Sequence, residues 1–314
     1  MKEIFLGEVI RQRRIELGLT QEELCEGICE PITISRFEHG RQTPSRNRVR
    51  ALLFRLGLPD DRYFALLSTQ ETKISILETE ITECNVRFER AFPEDRPSIR
   101  KEALEKHHLL NSLITPQDVL STQFLLRSQY ILGTENGPYS FEDGVALLTD
   151  AIRLTSPSFS PDNISVGLYS EQEINLISTL ANCYIRANHH SEAIDILSQL
   201  LTYIELHLNQ LPKTKAHIPL ICFNYARELE ITGHCKEAQG IAERGRLASV
   251  NSGFYQLLPD LLAILAECSF HLNNREESAE LFRQSFYIYK ATGNSYDLKT
   301  IQQEAHDFLG LTLT

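Results

Sequence analysis

Three times between residues 180 and 279 this 314-residue chain repeats one pattern. Each copy has a small residue in an apolar helical run, a polar turn, and a second small residue early in the next helical run. The copies are Leu180-Ala181-x-x-Tyr184 with Ala193 twelve after Ala181; Tyr225-Ala226-x-x-Leu229 with Gly233, and Ala238 twelve after Ala226; and Leu265-Ala266-x-x-Ser269-Phe270 with Ala279 thirteen after Ala266. Small side chains let two helix backbones cross closely, so each copy predicts a helix, a turn and a second helix packed on the first. Such a pair cannot bury its apolar face alone and has to stack on another like it. The fold class that follows is all-α, extended as an array.

The pattern is similar to the tetratricopeptide repeat, although Ala193, Ala238 and Ala279 are 45 and 41 residues apart where that unit spans roughly 34. The resemblance implies a right-handed solenoid with a concave inner face over residues 72–314, closed by a helix near Tyr296 to Leu309. Upstream, Lys73 to Phe92 and Ile99 to Leu113 read as one further pair. Gln123 to Leu132 and Phe141 to Leu154 read as another, joined by the turn-rich Gly133-Thr134-Glu135-Asn136-Gly137-Pro138. Thr155 to Val166, with Pro157, Pro161 and several serines, reads as a loop.

The first 67 residues carry a different signal. Thr20 and Glu23 form a capping box that starts a helix over Gln21 to Ile28, with Leu24 and Ile28 on its apolar side. Gly27, Ile28 and Cys29 turn the chain, and Pro31 suits the first position of a second helix, Pro31 to His39, closed by Gly40. In that helix Ile34 and Phe37 face inward, leaving Ile32, Thr33 and Arg36 outward and Ser35 on the flank. Outward residues of such a helix are where base edges and phosphates would be met.

This segment resembles the helix-turn-helix of Cro/C1-type (XRE) repressors, with Gln21 opening the first helix and Ile34-Ser35-Arg36-Phe37-Glu38-x-Gly40 running through the second. The turn Glu26-Gly27-Ile28-Cys29 is one residue shorter than in phage-type repressors, which looks most like the RNPP group of peptide-pheromone regulators from Gram-positive bacteria. Glu30 departs from that group, which tends to place a Ser cap there. The resemblance implies a five-helix DNA-binding domain over 1–67 and a peptide-binding, dimerising repeat domain over 72–314. Its function would be a cytoplasmic transcriptional regulator bound as a homodimer to an inverted-repeat operator. The DNA-contacting residues would be Gln21, Ile32, Thr33, Ser35, Arg36, Arg41 and Arg46.

In that group a short extended peptide lies on the concave face, and asparagines grip its backbone. A carboxamide suits this task because it offers both an acceptor and donors to a peptide unit. The positions in question are Asn182 with Asn175 seven residues earlier, Asn224 and Arg227 on the next inner helix, Glu267 on the third, and Arg127 and Gln123 on the earlier pair.

Charge agrees with this division. The chain carries a net −11, yet residues 1–66 hold 11 Lys and Arg against 10 Asp and Glu, so the acidity belongs to the remainder. Arg36, Arg41, Arg46, Arg48 and Arg50 fall within 15 residues opposed only by Glu38, the footprint that phosphate binding needs. The acidic remainder favours a neutral or basic peptide. Seven cysteines are an odd number without zinc-finger spacing, and read as reduced and mostly buried. The sequence has no apolar run near 18 residues and no phosphate-binding loop, G-x-S-x-G or H-E-x-x-H. His107-His108 and His189-His190 read as turn or surface residues, since neighbours on a helix diverge by about 100°. Neither an enzyme, a metal nor a cofactor is expected. The competing reading is a repeat scaffold for a partner protein, with the helix-turn-helix only as its DNA anchor; a third, like the Rap phosphatases, lacks DNA binding and conflicts with Gln21, Ser35 and Arg36.

Overall fold

The computed structural model describes residues 6–58, 69–115, 117–134, 136–208 and 217–314, and among these every regular element is helical. The helices are α1 Leu6–Glu16, α2 Gln21–Cys25, α3 Pro31–Glu38, α4 Arg46–Arg55, α5 Thr69–Arg90, α6 Arg96–Leu113, α7 Val119–Leu132, α8 Phe141–Arg153, α9 Glu171–Arg186, α10 His190–His207, α11 His217–Ile231, α12 Cys235–Ser252, α13 Leu258–His271, α14 Arg275–Thr292 and α15 Ser295–Leu309. Short 3-10 turns at Pro161–Val166 and Tyr255–Leu257 interrupt the connections, so the segment expected as a plain loop contains a helical turn. The end of the N-terminal module near Leu67, and any fifth helix of it there, lies outside the described residues.

The chain divides into two compact units, Met1–Leu180 and Ala181–Thr314. In the first, α1–α4 enclose Ile10, Leu24, Ile34, Phe37, Leu52 and Leu56, and the same cluster includes Leu120 of α7. The N-terminal module therefore shares a core with the earliest repeat helices. Ile74, Leu77 and Ile81 of α5 pack with Leu110 of α6 and Phe124 of α7. His107, expected at a turn or surface, is half-buried and bonded to Ser128 Oγ at 2.7 Å. Burial pushes its imidazole down to about 4.

In the second unit, α11/α12 and α13/α14 are antiparallel pairs and α15 closes the series. The turns share one device. Asn188, Gly233 and Asn273 all adopt left-handed φ, at +62°, +84° and +66°. Each stands seven residues after the buried Ala181, Ala226 or Ala266. The next amide bonds back across the turn, His189 N to Tyr184 O, His234 N to Leu229 O and Asn274 N to Ser269 O, which is the Schellman closure. This register corrects one reading of the repeat. The fully buried partner of Ala193 and Ala238 is Ser278, twelve after Ala266, and not the half-buried Ala279. A serine fills the small-residue position because its volume is close to that of alanine.

Candidate nucleic-acid interface and ligand-facing groups

The capping box forms as the sequence implies. Thr20 Oγ1 accepts from Glu23 N at 3.1 Å, and Thr20 N donates to Glu23 Oε2 at 2.7 Å. The helix α2 stops at Cys25, short of Ile28, because Gly27 turns the chain at φ +70°. Pro31 opens α3, and Glu30 precedes it without a side-chain cap bond. Ile34 and Phe37 are 0% and 1% exposed, which fixes the roll of α3 and turns Ile32, 57% exposed, and Arg36 outward. Thr33 and Ser35 flank that face half-buried, and Arg41, also exposed, follows just past Gly40. Arg46 begins α4, half-buried.

Gln21 sits differently from a free base-reading side chain. Its Nε2 donates at 2.7 Å to Glu38 Oε2, and Arg14 grips the same carboxylate with Nε at 2.7 Å and Nη2 at 2.9 Å. Glu38 is 5% exposed, so this charge-assisted cluster ties α1 and the start of α2 to the end of α3. The sequence did carry a signal for it: Glu38 lies four residues after Ile34, on the core-facing stripe, where an acid requires a partner. The arginine cluster is likewise split by the fold. Arg48 reaches Gln117 O at 3.4 Å and Arg50 pairs with Glu171 at 2.9 Å, so these two face the repeats.

Arg55 escaped the sequence reading altogether. It is 4% exposed and donates to Leu24 O at 3.0 Å, Glu26 O at 2.8 Å and Thr155 O at 2.9 Å, with Glu173 Oε1 at 3.5 Å. Glu173 is fully buried and also accepts from Ser156 Oγ and, at 2.6 Å, from Ser170 N. Close by, a Cβ on Gly27 would lie 2.1 Å from Thr155 Cα, so the helix-turn-helix turn and the 155 segment touch backbone to backbone.

Of the ligand positions in the first unit, Gln123 is corrected. It is fully buried and donates to Ala151 O at 2.8 Å and Thr155 Oγ1 at 2.6 Å, which removes it from any ligand-lining surface. Arg127 donates to Thr179 Oγ1 at 2.8 Å, and burial lowers its pKa. Asn175 is half-buried on α9. In the second unit Asn182 is half-buried, while Asn224 is 9% exposed and its Nδ2 has no hydrogen-bond partner among the described residues. Arg227, three residues on, is ion-paired to Glu267 and lies 3.6 Å from Glu230. Among the described residues no group of three or more His, Cys, Asp or Glu could hold a metal ion, and no helix is long and apolar enough to cross a membrane.

A family model described as a helix-turn-helix domain matches residues 6–63. That segment is a helix-turn-helix domain. It spans α1–α4, with the exposed face of α3 as its second helix. No curated protein sequence matches the chain. Among solved structures, it is similar to Bacillus thuringiensis PlcR in complex with the peptide PapR7 and DNA, at 18% identity and a TM-score of 0.56, covering 95% of this chain and 98% of that one. The apo form of the same protein aligns at 15% identity and a TM-score of 0.57, over 94% and 97%. The likeness runs through the repeats as well as the helix-turn-helix domain, so the two chains share an all-α fold over the aligned residues.

Proposed function

We propose that this chain is a transcriptional regulator that binds operator DNA through α3 and is controlled by a short signalling peptide held by its repeat helices. The observation that carries the DNA reading is the roll of α3, where a buried Ile34 and Phe37 leave Ile32 and Arg36 facing solvent, with Thr33 and Ser35 half-buried beside them. Arg41 and Arg46 follow as phosphate contacts. Gln21, anchored on Glu38 through its amide nitrogen, sets the position of α3 beside the DNA-facing residues. One short helix touches few base edges, so two copies on an inverted repeat supply the specificity, which makes the working form a homodimer. The experiment is Arg36→Ala with operator binding read by fluorescence anisotropy. A lost base contact costs on the order of 1–3 kcal/mol while the circular dichroism spectrum stays unchanged. Unchanged operator affinity would sink the assignment.

For the peptide, support comes from Asn224. A buried amide without a partner is costly, on the order of 1–3 kcal/mol, and a main-chain carbonyl of an extended peptide would satisfy it. Asn182 is the further contact of this reading within the second unit, and Asn175 and Arg127 are the contacts it expects within the first. The helix α9 offers a route between the two activities. Glu173, which holds Arg55 of the helix-turn-helix domain, and Asn175 are two residues apart on it and point in roughly opposite directions. A peptide that shifts α9 would therefore act on the anchor of the DNA-binding helices. Calorimetry with secreted peptides encoded beside the gene tests the reading: a peptide that binds wild type and loses its heat with Asn224→Ala supports it, and no binding by any of them counts against it.

A further inference from the structure

Resting on the peptide reading above, we propose that Glu230, Glu267 and Glu304, grouped around Arg227, form a subsite for a cationic group of the ligand, a Lys or Arg side chain or an N-terminal ammonium. The first helices of successive pairs, α11, α13 and α15, stand side by side in the second unit and bring these residues together. Arg227 is bonded to Glu267 and lies 3.6 Å from Glu230, and Glu230 is 3.3 Å from His271 Nε2. Glu304 of α15 is half-buried and near enough to add its repulsion to Glu267 and Glu230. Asp260, which accepts from Tyr289 Oη at 2.5 Å, adds a further negative charge on the same side.

The balance is the argument. One guanidinium faces three carboxylates, two of them at most 10% exposed along the side chain. Burial pushes the Glu267 carboxyl up to about 7 despite Arg227, with Glu304 and Glu230 adding to the shift, and burial raises Glu304 as well. A site in that condition lacks positive charge, and a ligand cation supplies it. An anionic ligand meets the opposite situation, because Arg227 is already engaged.

The independent pointer is Asn224. Its Nδ2 is buried without a partner one helical turn before Arg227, on the same face of α11. A donor awaiting an acceptor beside a carboxylate group awaiting a cation matches a peptide carbonyl next to a basic residue. The chemistry specifies a basic residue at one defined position of the peptide.

The test uses hexapeptide-amide pools in which one position at a time is fixed as Arg, Lys, citrulline or Glu, with binding to the full-length protein measured by thermal shift and anisotropy. Glu304→Gln and Glu230→Gln are near-isosteric and relieve like-charge crowding, so their folded state is retained. At one position the Arg and Lys pools should bind about tenfold tighter than citrulline and more tightly still than Glu. That preference should collapse in the Glu230→Gln/Glu304→Gln double variant, while citrulline-pool affinity stays within about twofold. Binding without a charge preference, or a preference that survives in the double variant, overturns the subsite alone. Absence of binding by every pool overturns it together with the peptide reading.

Discussion

At Arg55 a guanidinium with 1% of its side chain exposed donates to two carbonyls at the end of α2, Leu24 O and Glu26 O, and to Thr155 O, beside the buried carboxylate of Glu173. Removing one member of such a group leaves the other charge and the carbonyls unsatisfied, at about 3–5 kcal/mol. Arg55→Ala should therefore lower the unfolding free energy measured in urea by that amount, whereas the exposed Arg36→Ala should stay within about 0.5 kcal/mol. Equal effects of the two would contradict the burial argument. Gly27 makes the same contact from the backbone side. With φ at +70° and Thr155 Cα only 2.1 Å from the place of a Cβ, Gly27→Ala meets both left-handed strain and a backbone clash. It should destabilise by about 2–4 kcal/mol in equilibrium unfolding. Gly27 could be read from sequence as a turn residue, but its contact with Thr155 could not, because 128 positions separate them along the chain.

The turn after each first helix of a pair shows what an element needs from its sequence. Asn188, Gly233 and Asn273 occupy one left-handed position, and asparagine is the residue other than glycine that tolerates it best. Asn273→Ala should cost about 1 kcal/mol in thermal unfolding while Asn273→Gly costs nothing; an alanine as stable as the glycine would show that the turn is not held left-handed. Helix spans were largely legible here. The expected closing helix from Tyr296 to Leu309 is α15, Ser295–Leu309, and the expected pair upstream matches α7 and α8 to within a few residues. The misassignment of Ala279 arose because Ala and Ser are equally acceptable to a pattern, and only burial identifies Ser278 as the crossing residue.

For the whole molecule, the carboxyls of Glu267 and Glu304 titrate above their ordinary range, Glu267 at about 7, with burial the leading cause for both. A folded-state pKa raised on an acid means that the folded chain binds more protons than the unfolded one between about pH 4.5 and 7. Stability conferred by these groups is thus present at the acidic end of that window and declines as pH rises through it, by at most about 3 kcal/mol for Glu267. His107, held down to about 4 by burial, works in the opposite sense below its ordinary value, so the Glu267 contribution is read as a difference. The melting temperature of Glu267→Gln relative to wild type should rise as pH goes from about 5 to 8, and a difference that does not change with pH would exclude Glu267 as a source. By itself the sequence determined the all-α class, the capping box, the helix-turn-helix and the repeat pattern, because local spacing, caps and small residues act over a few turns of chain. Only the tertiary structure decided that Gln21 braces Glu38, that Gln123 is core, that Arg48 and Arg50 turn to the repeats, and that Arg55 meets Glu173. Those outcomes depend on which distant groups share a desolvated volume, and burial makes pairing obligatory for a charge or an amide wherever the chain happens to bring its partner.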